Sequence, residues 1–269
     1  MTALDPAFLD HALAIARKAA AAAATVIAGH YRSGVEVETK ADLTPVTRAD
    51  REAEAAIRAV LGEAFPEHAI HGEELGVSGA GEFLWLVDPI DGTRGFVRHY
   101  PMFSTQIALM HRGELVLGVS MAGEYGEAMW ARRGGGAYYD GPGADGRPVR
   151  VAATADIAAA ALSTGNLKSL AAGRGWPALG ALVRQVARIR GYGDFLHYHL
   201  LARGCIDAVL ESDVNILDIA ALAVIVSEAG GVFTDLDGAP PTLSTTSVLA
   251  ATPALHGALS THFHGWRDA

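Results

Sequence analysis

Cysteine is almost missing from this sequence. Cys205 stands alone in 269 residues, so no intrachain disulfide can staple the fold. That suits a reducing compartment and makes a cytoplasmic protein the expectation. Basic residues are also short, 21 Lys and Arg against 30 Asp and Glu, for a formal charge of −9. Nucleic acid and anionic membrane surfaces draw affinity from basic patches, so neither is an expected partner. No uncharged apolar run approaches the roughly 18 residues of a membrane span. The Ala-rich stretch from Ala19 to Ala24 follows Asp5, Asp10 and His11 rather than a basic segment, so it does not read as a signal peptide. What is plentiful is apolar surface: 50% of the residues are hydrophobic, enough for a large core that needs no staples.

The apolar residues are patterned. Asp5-Pro6 reads as a cap and the first residue of a helix. Phe8, Ala12, Ile15, Ala19, Ala22 and Val26 then recur at helical spacing, and the helix is expected to end by Gly29. A second helix is expected after Thr47 or Asp50, with Ala53, Ile57, Val60 and Leu61 on one face and Pro66 closing it. Residues 83–87 form a short continuous apolar run, a strand buried on both faces that empties into Asp88-Pro89. Strand-like runs follow at 105–110, 115–120 and 128–131, punctuated by the glycine turn at 134–136. Beyond residue 150 strands at 161–164, 188–191, 206–210 and 232–234 alternate with helices at 176–186, 195–202 and 218–229. This order predicts an α/β protein with lobes at 1–150 and 151–269 sharing a cleft.

Carboxylates carry the chemistry. Asp88-Pro89-Ile90-Asp91-Gly92-Thr93 lies at the end of a buried strand, where ligands of open α/β sheets gather. Two carboxylates three residues apart around a proline can converge, and the Ile90 carbonyl and the Gly92 and Thr93 N–H groups are aimed by the same turn. Glu73-Glu74 precedes it by fifteen residues, and Asp50 and Asp218 each sit near a helix start. Singly, Asp50, Asp88 and Asp218 also read as helix caps. Together, without a matching set of Lys or Arg, they would repel unless cations bind between them. Oxygen-only ligands favour Mg²⁺, or Mn²⁺, over zinc.

These motifs resemble the inositol monophosphatase family, and the resemblance runs over nearly the whole chain. It includes the segment from Thr44 to Asp50 and Glu228-Ala229-Gly230-Gly231. The segment from Arg190 to Phe195, with Ile206-Asp207-Ala208 and Glu211, is most similar to the histidinol-phosphate phosphatase branch, and Phe96-Val97-Arg98 fits it too. Leu217 stands where the family usually has Trp, and Gly95 where Asn is common.

The resemblance implies an α/β layered αβαβα sandwich of the sugar-phosphatase type and a Mg²⁺-dependent phosphomonoesterase, a homodimer with two or three ions per subunit. It places one Mg²⁺ on Glu73, Asp88 and the Ile90 carbonyl, a second on Asp88, Asp91 and Asp218, and a weaker third near Glu73. Catalytic roles fall to Glu73, Thr93 and Asp50, and phosphate oxygens to the Gly92 and Thr93 N–H groups. Asp194 and Glu211 face the leaving group. The implied substrate is L-histidinol phosphate, in histidine biosynthesis. The alternatives are a myo-inositol-1-phosphate or broad sugar-phosphate phosphatase and, in another class, a non-catalytic metal- or phosphate-binding regulator. Asp194 also reads as a cap for the helix after it.

Other features are read plainly. His197 and His199 are two apart, a poor metal pair on a helix, and are assigned to packing. Cys205 is expected to be buried, His262 and His264 exposed, and Arg184, Arg188 and Arg190 solvated. Lys40 and Asp42 sit in a loop that reads as plain surface or as a cover over the metals.

Overall fold

The computed structural model describes residues 4–33, 37–39 and 45–266; the loop holding Lys40 and Asp42, with Thr44, lies outside the described residues. Helix α1 (Pro6–Ser33) leads to the antiparallel pair β1 (Val37–Thr39) and β2 (Pro45–Thr47) and to helix α2 (Arg48–Ala64). Then come β3 (Ala69–Gly72), β4 (Gly76–Ser78), β5 (Phe83–Asp91), the short helix α3 (Thr93–Val97) and β6 (Ser104–His111). Strands β7 (Glu114–Ala122), β8 (Glu127–Arg132), β9 (Gly136–Gly141) and β10 (Ala144–Val149) complete the first half.

The second half holds β11 (Ala161–Thr164), α4 (Lys168–Ala172), α5 (Gly175–Val183), β12 (Arg188–Arg190) and α6 (Asp194–Ala202). It continues with β13 (Ala208–Ser212), α7 (Ile216–Glu228), β14 (Val232–Thr234), β15 (Ser247–Ala251) and α8 (Pro253–Ser260).

Two large sheets result. The first has the order β10-β9-β8-β7-β6-β5-β3-β4 and is antiparallel except where β3 runs parallel to β5. The second has the order β12-β11-β13-β15-β14, with β11 parallel to β12 and β13 and the rest antiparallel. The fold is thus α/β with mixed sheets. The expected alternation stops at residue 234 and misses β15 and α8. Strand β13 starts at Ala208, because Asp207 is spent on the edge: its carboxylate accepts the Ala161 N–H at 2.7 Å.

Period-2 alternation splits the first sheet into two buried faces. Trp85, Val87, Ile107 and Leu109 join the core under α1 and α2, while Leu86, Ala108 and Met110 join the core under α7. Ten of the thirteen residues of α7 are buried, as befits a helix apolar all round. It reaches the sheet closely because Gly118 has no side chain; a Cβ there would stand 2.3 Å from the Ala221 carbonyl oxygen.

Helix α1 starts as expected, with Asp5 accepting the Ala7 N–H at 2.9 Å, but it runs through Gly29 to Ser33. One mid-helix glycine costs about 1 kcal/mol. The packing of Ile27 before it is continued past it by the Tyr31 ring against Phe96 and Phe103. By length and composition α1 could cross a bilayer. In this fold it lays Leu9, Ala12, Ala16, Ala20, Ala23 and Ile27 on the core instead, and Arg17 caps the Trp130 ring at 3.8 Å.

Cys205 is exposed, contrary to the expectation. It follows α6 in a Schellman cap: Gly204 is left-handed at φ 70°, its N–H reaches the Leu201 carbonyl, and the Cys205 N–H reaches Leu200. That geometry turns the side chain outward. His262 is half-buried and His264 exposed, and Arg184, Arg188 and Arg190 face solvent.

Candidate active site

The Asp88 to Thr93 motif does not leave the strand at Asp88; β5 continues to Asp91. In a regular strand residues three apart point to opposite faces. Here Asp88 pairs with Gln106 and Asp91 with Ser104, so three steps along β5 match two along β6. This one-residue bulge reverses the parity and brings both carboxylates to one side. The Ile90 N–H binds Asp88 Oδ1 at 2.9 Å and fixes that carboxylate.

Glu73 rides on the turn after β3, the strand parallel to β5, and is exposed to the cleft. The turn is held from below by Glu54, fully buried on α2, which accepts the Glu74 N–H at 2.7 Å and the Leu75 N–H at 3.2 Å. Gly72 makes room for it, since a Cβ would fall on the Glu54 carboxylate. Glu54 also takes the Arg58 guanidinium at 2.7 Å. Glu54→Ala leaves two N–H groups without an acceptor, while Arg58 keeps Ser78 and the Gly76 carbonyl. The expected loss is about 2 kcal/mol of stability in urea denaturation, and an unchanged midpoint would contradict this role. A charge on the apolar face of α2 is the sequence signal for this role.

Asp218 enters from α7, where it is the third helical residue. It closes a capping box: the Asn215 N–H reaches Asp218 Oδ2 at 3.0 Å, and Asn215 Oδ1 takes the Leu217 N–H at 2.7 Å. Capping therefore fixes the carboxylate that faces the cleft. Leu217 is buried in the α7 core.

Oxygens of Asp88, Asp91 and Asp218 all lie within 4.8 Å of one another. At that distance each pair of full charges repels by about 3 kcal/mol even at an effective dielectric near 20. The ionisation reflects it. Burial, then Glu73 and Asp91, push Asp88 well above the ordinary carboxylate range. Burial, then Asp194 and Asp218, do the same to Asp91. Asp218 is pushed up to about 7, chiefly by burial.

The surrounding cavity of about 660 Å³ is lined by six carboxylates, Glu73, Asp88, Asp91, Asp194, Asp213 and Asp218, against Arg94 and Lys168. Two cations cannot neutralise six anions, and an all-oxygen donor set suits a hard divalent cation. The residues present fit such an ion.

Thr93 opens α3 beside this cluster. Its hydroxyl lies 3.1 Å from the Ile90 carbonyl and 3.3 Å from Asp50 Oδ1, so its single proton serves one or the other. Asp50 is buried inside α2 rather than at its cap. Gly92 has φ 92°, and a Cβ there would stand 2.6 Å from the Met102 carbonyl oxygen, as would one at Gly95. The backbone of 92–95 is thus pressed against 102, which explains the glycine at position 95.

A further wall comes from α6 and the second sheet. Asp194 has φ 44°, makes no hydrogen bond among the described residues, and is raised by burial and then by Glu211. It caps nothing, because the strained turn makes it the first residue of α6. Glu211 on β13 is only 4% exposed and accepts the Tyr198 hydroxyl at 2.7 Å and the Asn166 N–H at 3.2 Å.

Asn166, Lys168, Asp213 and Arg94 line the cavity and were not foreseen. The first two follow the carboxyl end of β11, so the rule that ligands gather beyond strand ends could have found them. His197 and His199 are fully buried, each against a carboxylate.

Stacked sheets and helices thus surround an acid-lined cleft whose oxygen donors suit a hard divalent cation. The inositol monophosphatase family model matches residues 9–266. A histidinol-phosphatase from Streptomyces coelicolor is 38% identical over 246 residues, covering 87% of this chain and 90% of that protein. One from Mycobacterium tuberculosis is 41% identical over 213 residues, covering 76% and 79%. A solved inositol monophosphatase from Zymomonas mobilis superposes with a TM-score of 0.82 at 30% identity, covering 94% of this chain and 98% of that one. The chain belongs to the inositol monophosphatase family, whose members generally depend on divalent metal ions, and it is a phosphatase of that family.

Proposed function

We propose that the protein hydrolyses L-histidinol phosphate to L-histidinol and phosphate. The observation that carries this is the second acidic wall. Asp194 is held without a hydrogen-bond partner among the described residues in a strained backbone, beside Glu211 and near enough to Asp91 to be the first of the charges that raise it. A leaving group with an ammonium and an imidazole matches two carboxylates. A polyol asks for hydroxyl partners and gains little from a paired negative charge. The names borne by the two relatives point the same way.

Glu73, Asp88, the Ile90 carbonyl, Asp91 and Asp218 would hold two or three Mg²⁺ ions, with Mn²⁺ as a substitute. When bound, the cations supply the positive charge that offsets the phosphate and the departing oxygen. The chain's own residues do the rest. Glu73 accepts the proton of the attacking water, and Thr93 Oγ1, backed by Asp50, orients that water. The Gly92 and Thr93 N–H groups hold phosphate oxygens, and Asp194 and Glu211 orient the leaving group. A cytoplasmic homodimer belongs to the same reading, and light scattering on the eluting protein tests the dimer.

The second reading, an inositol- or sugar-phosphate phosphatase, draws on the close superposition with the Z. mobilis protein. kcat/KM for histidinol phosphate and for myo-inositol 1-phosphate separates the two, and a clear preference for the inositol ester would overturn the first. Asp194→Asn should lower kcat/KM for histidinol phosphate roughly 10- to 100-fold, the worth of one charge-assisted contact. An aryl phosphate without a cationic group should change by less than about threefold. Equal losses on both esters would make Asp194 structural.

A further inference from the structure

Behind the acidic wall lies a buried polar relay with no part in the roles assigned so far. Ser163, on β11, and His197, on α6, are both fully buried. The Tyr192 N–H donates to Ser163 Oγ at 3.1 Å, and Ser163 Oγ lies 3.3 Å from His197 Nδ1. His197 Nε2 stands 3.2 Å from Glu211 Oε2 but is not aligned for a hydrogen bond, and it makes none with any other described residue.

The proton count follows. An ionised Glu211 carboxylate can only accept, so the Nε2 that faces it carries the proton of a neutral imidazole, and Nδ1 is left to accept from the Ser163 hydroxyl. The order Ser-His-Glu resembles a nucleophilic triad, but Ser163 is sealed from the cleft and already bonded, so it attacks nothing.

The relay grips the acidic wall at both ends. Tyr192 and His197 flank Asp194, so the same Ser163–His197 pair anchors the chain on either side of the positive-φ turn at Gly193-Asp194. At its other end His197, with the Tyr198 hydroxyl and the Asn166 N–H, fixes the Glu211 carboxylate. These partners outweigh burial and keep the Glu211 carboxyl below its ordinary range, although Asp194 lies next to it. Gly165 lets the strand end close over this carboxylate, since a Cβ would overlap it.

We propose that His197 is a positioning residue for leaving-group recognition: through Ser163 and Glu211 it holds the Tyr192–Asp194 turn and β13 as one rigid acidic wall. This rests on the reading that the wall meets the leaving group. Preorganisation of that kind acts on binding of the distal part of the substrate and leaves the phosphate end alone.

The test is a double-mutant cycle on the full-length protein in Mg²⁺. His197→Leu should raise KM for histidinol phosphate ~10-fold with kcat within about twofold, while p-nitrophenyl phosphate changes by less than about twofold. His197→Gln, whose amide can still donate to Glu211, should recover most of the loss. In a Glu211→Gln background His197→Leu should add nothing. Equal losses on both esters, or full additivity with Glu211→Gln, would overturn the proposal.

If His197→Leu does not fold, Ser163→Ala decides it. It should raise KM several-fold on the same substrate, and an unchanged KM would count against the relay. If the wild type instead prefers inositol phosphate, the substrate reading fails, and the same cycle run on that ester still decides the positioning role.

Discussion

Asp88→Asn should cut turnover by about three orders of magnitude or more and, in the same protein freed of cations by a chelator, raise the melting temperature by several degrees. The first effect follows from loss of a carboxylate shared between the proposed cation positions, where several kcal/mol of charge stabilisation are at stake. The second follows from the cluster itself. Asp88 is buried, its oxygens lie within 4.8 Å of those of Asp91 and Asp218, and among the described residues no cationic side chain lies between the three. Asparagine keeps the contact with the Ile90 N–H through its own Oδ1 and removes one charge. A structural cap behaves in the opposite way, since its neutralisation costs stability. Full activity, or a melting temperature that falls without cations, would contradict the assignment.

Cation removal should make stability fall as pH rises between about 6.5 and 8.5, and Mg²⁺ should abolish that slope. Asp88, Asp91 and Asp218 all have folded-state values raised above the ordinary carboxylate range, Asp218 to about 7. Such groups keep protons that the unfolded chain has released. Stability is therefore intact below the unfolded value and is lost as pH climbs through the folded one. His68, His199 and His256 are lowered by burial and act in the other direction, but their contribution is complete by the ordinary histidine value near 6.5. Glu211 and Glu127 are lowered and titrate well below the window.

Above pH 6.5 the carboxylate cluster is left as the main source of slope, since each raised carboxyl lowers stability as pH climbs through its folded-state value. Thermal melts in chelator and in Mg²⁺ at three pH values read it directly. A cation-free melting temperature that is flat or rises from pH 6.5 to 8.5 would refute the repulsion argument.

The site was legible in the sequence only as far as its chemistry is local. Asp88, Asp91 and Gly92 sit within one hexapeptide, and Glu73 and Asp218 are set off by short motifs of their own. What pattern reading cannot supply is parity. Asp88 and Asp91 should face opposite ways in a strand, and only the bulge against Gln106 and Ser104 brings them together. Nor does spacing reveal support from a distance. Glu54 lies 20 residues from the turn it holds. His197 faces 14 residues ahead to Glu211 and 34 back to Ser163, so a reading confined to its own helix makes it ordinary packing.

The fold shows the same division. The periodic helices α1 and α2 and the apolar strand β5 were found. Strand β15 was missed because Ser247 to Ala251 is short, wholly buried and without a period, and its place in the second sheet is set by its neighbours β13 and β14.

Phosphate release from L-histidinol phosphate by chelated protein, followed as Mg²⁺ is titrated back, tests the central claim most directly. The expected result is no release above background without the cation and saturable recovery with it, alongside a slower reaction on myo-inositol 1-phosphate. Release that ignores chelation, or none from either ester at any Mg²⁺ concentration, would contradict the reading of this acidic cleft as a cation-assisted phosphatase site.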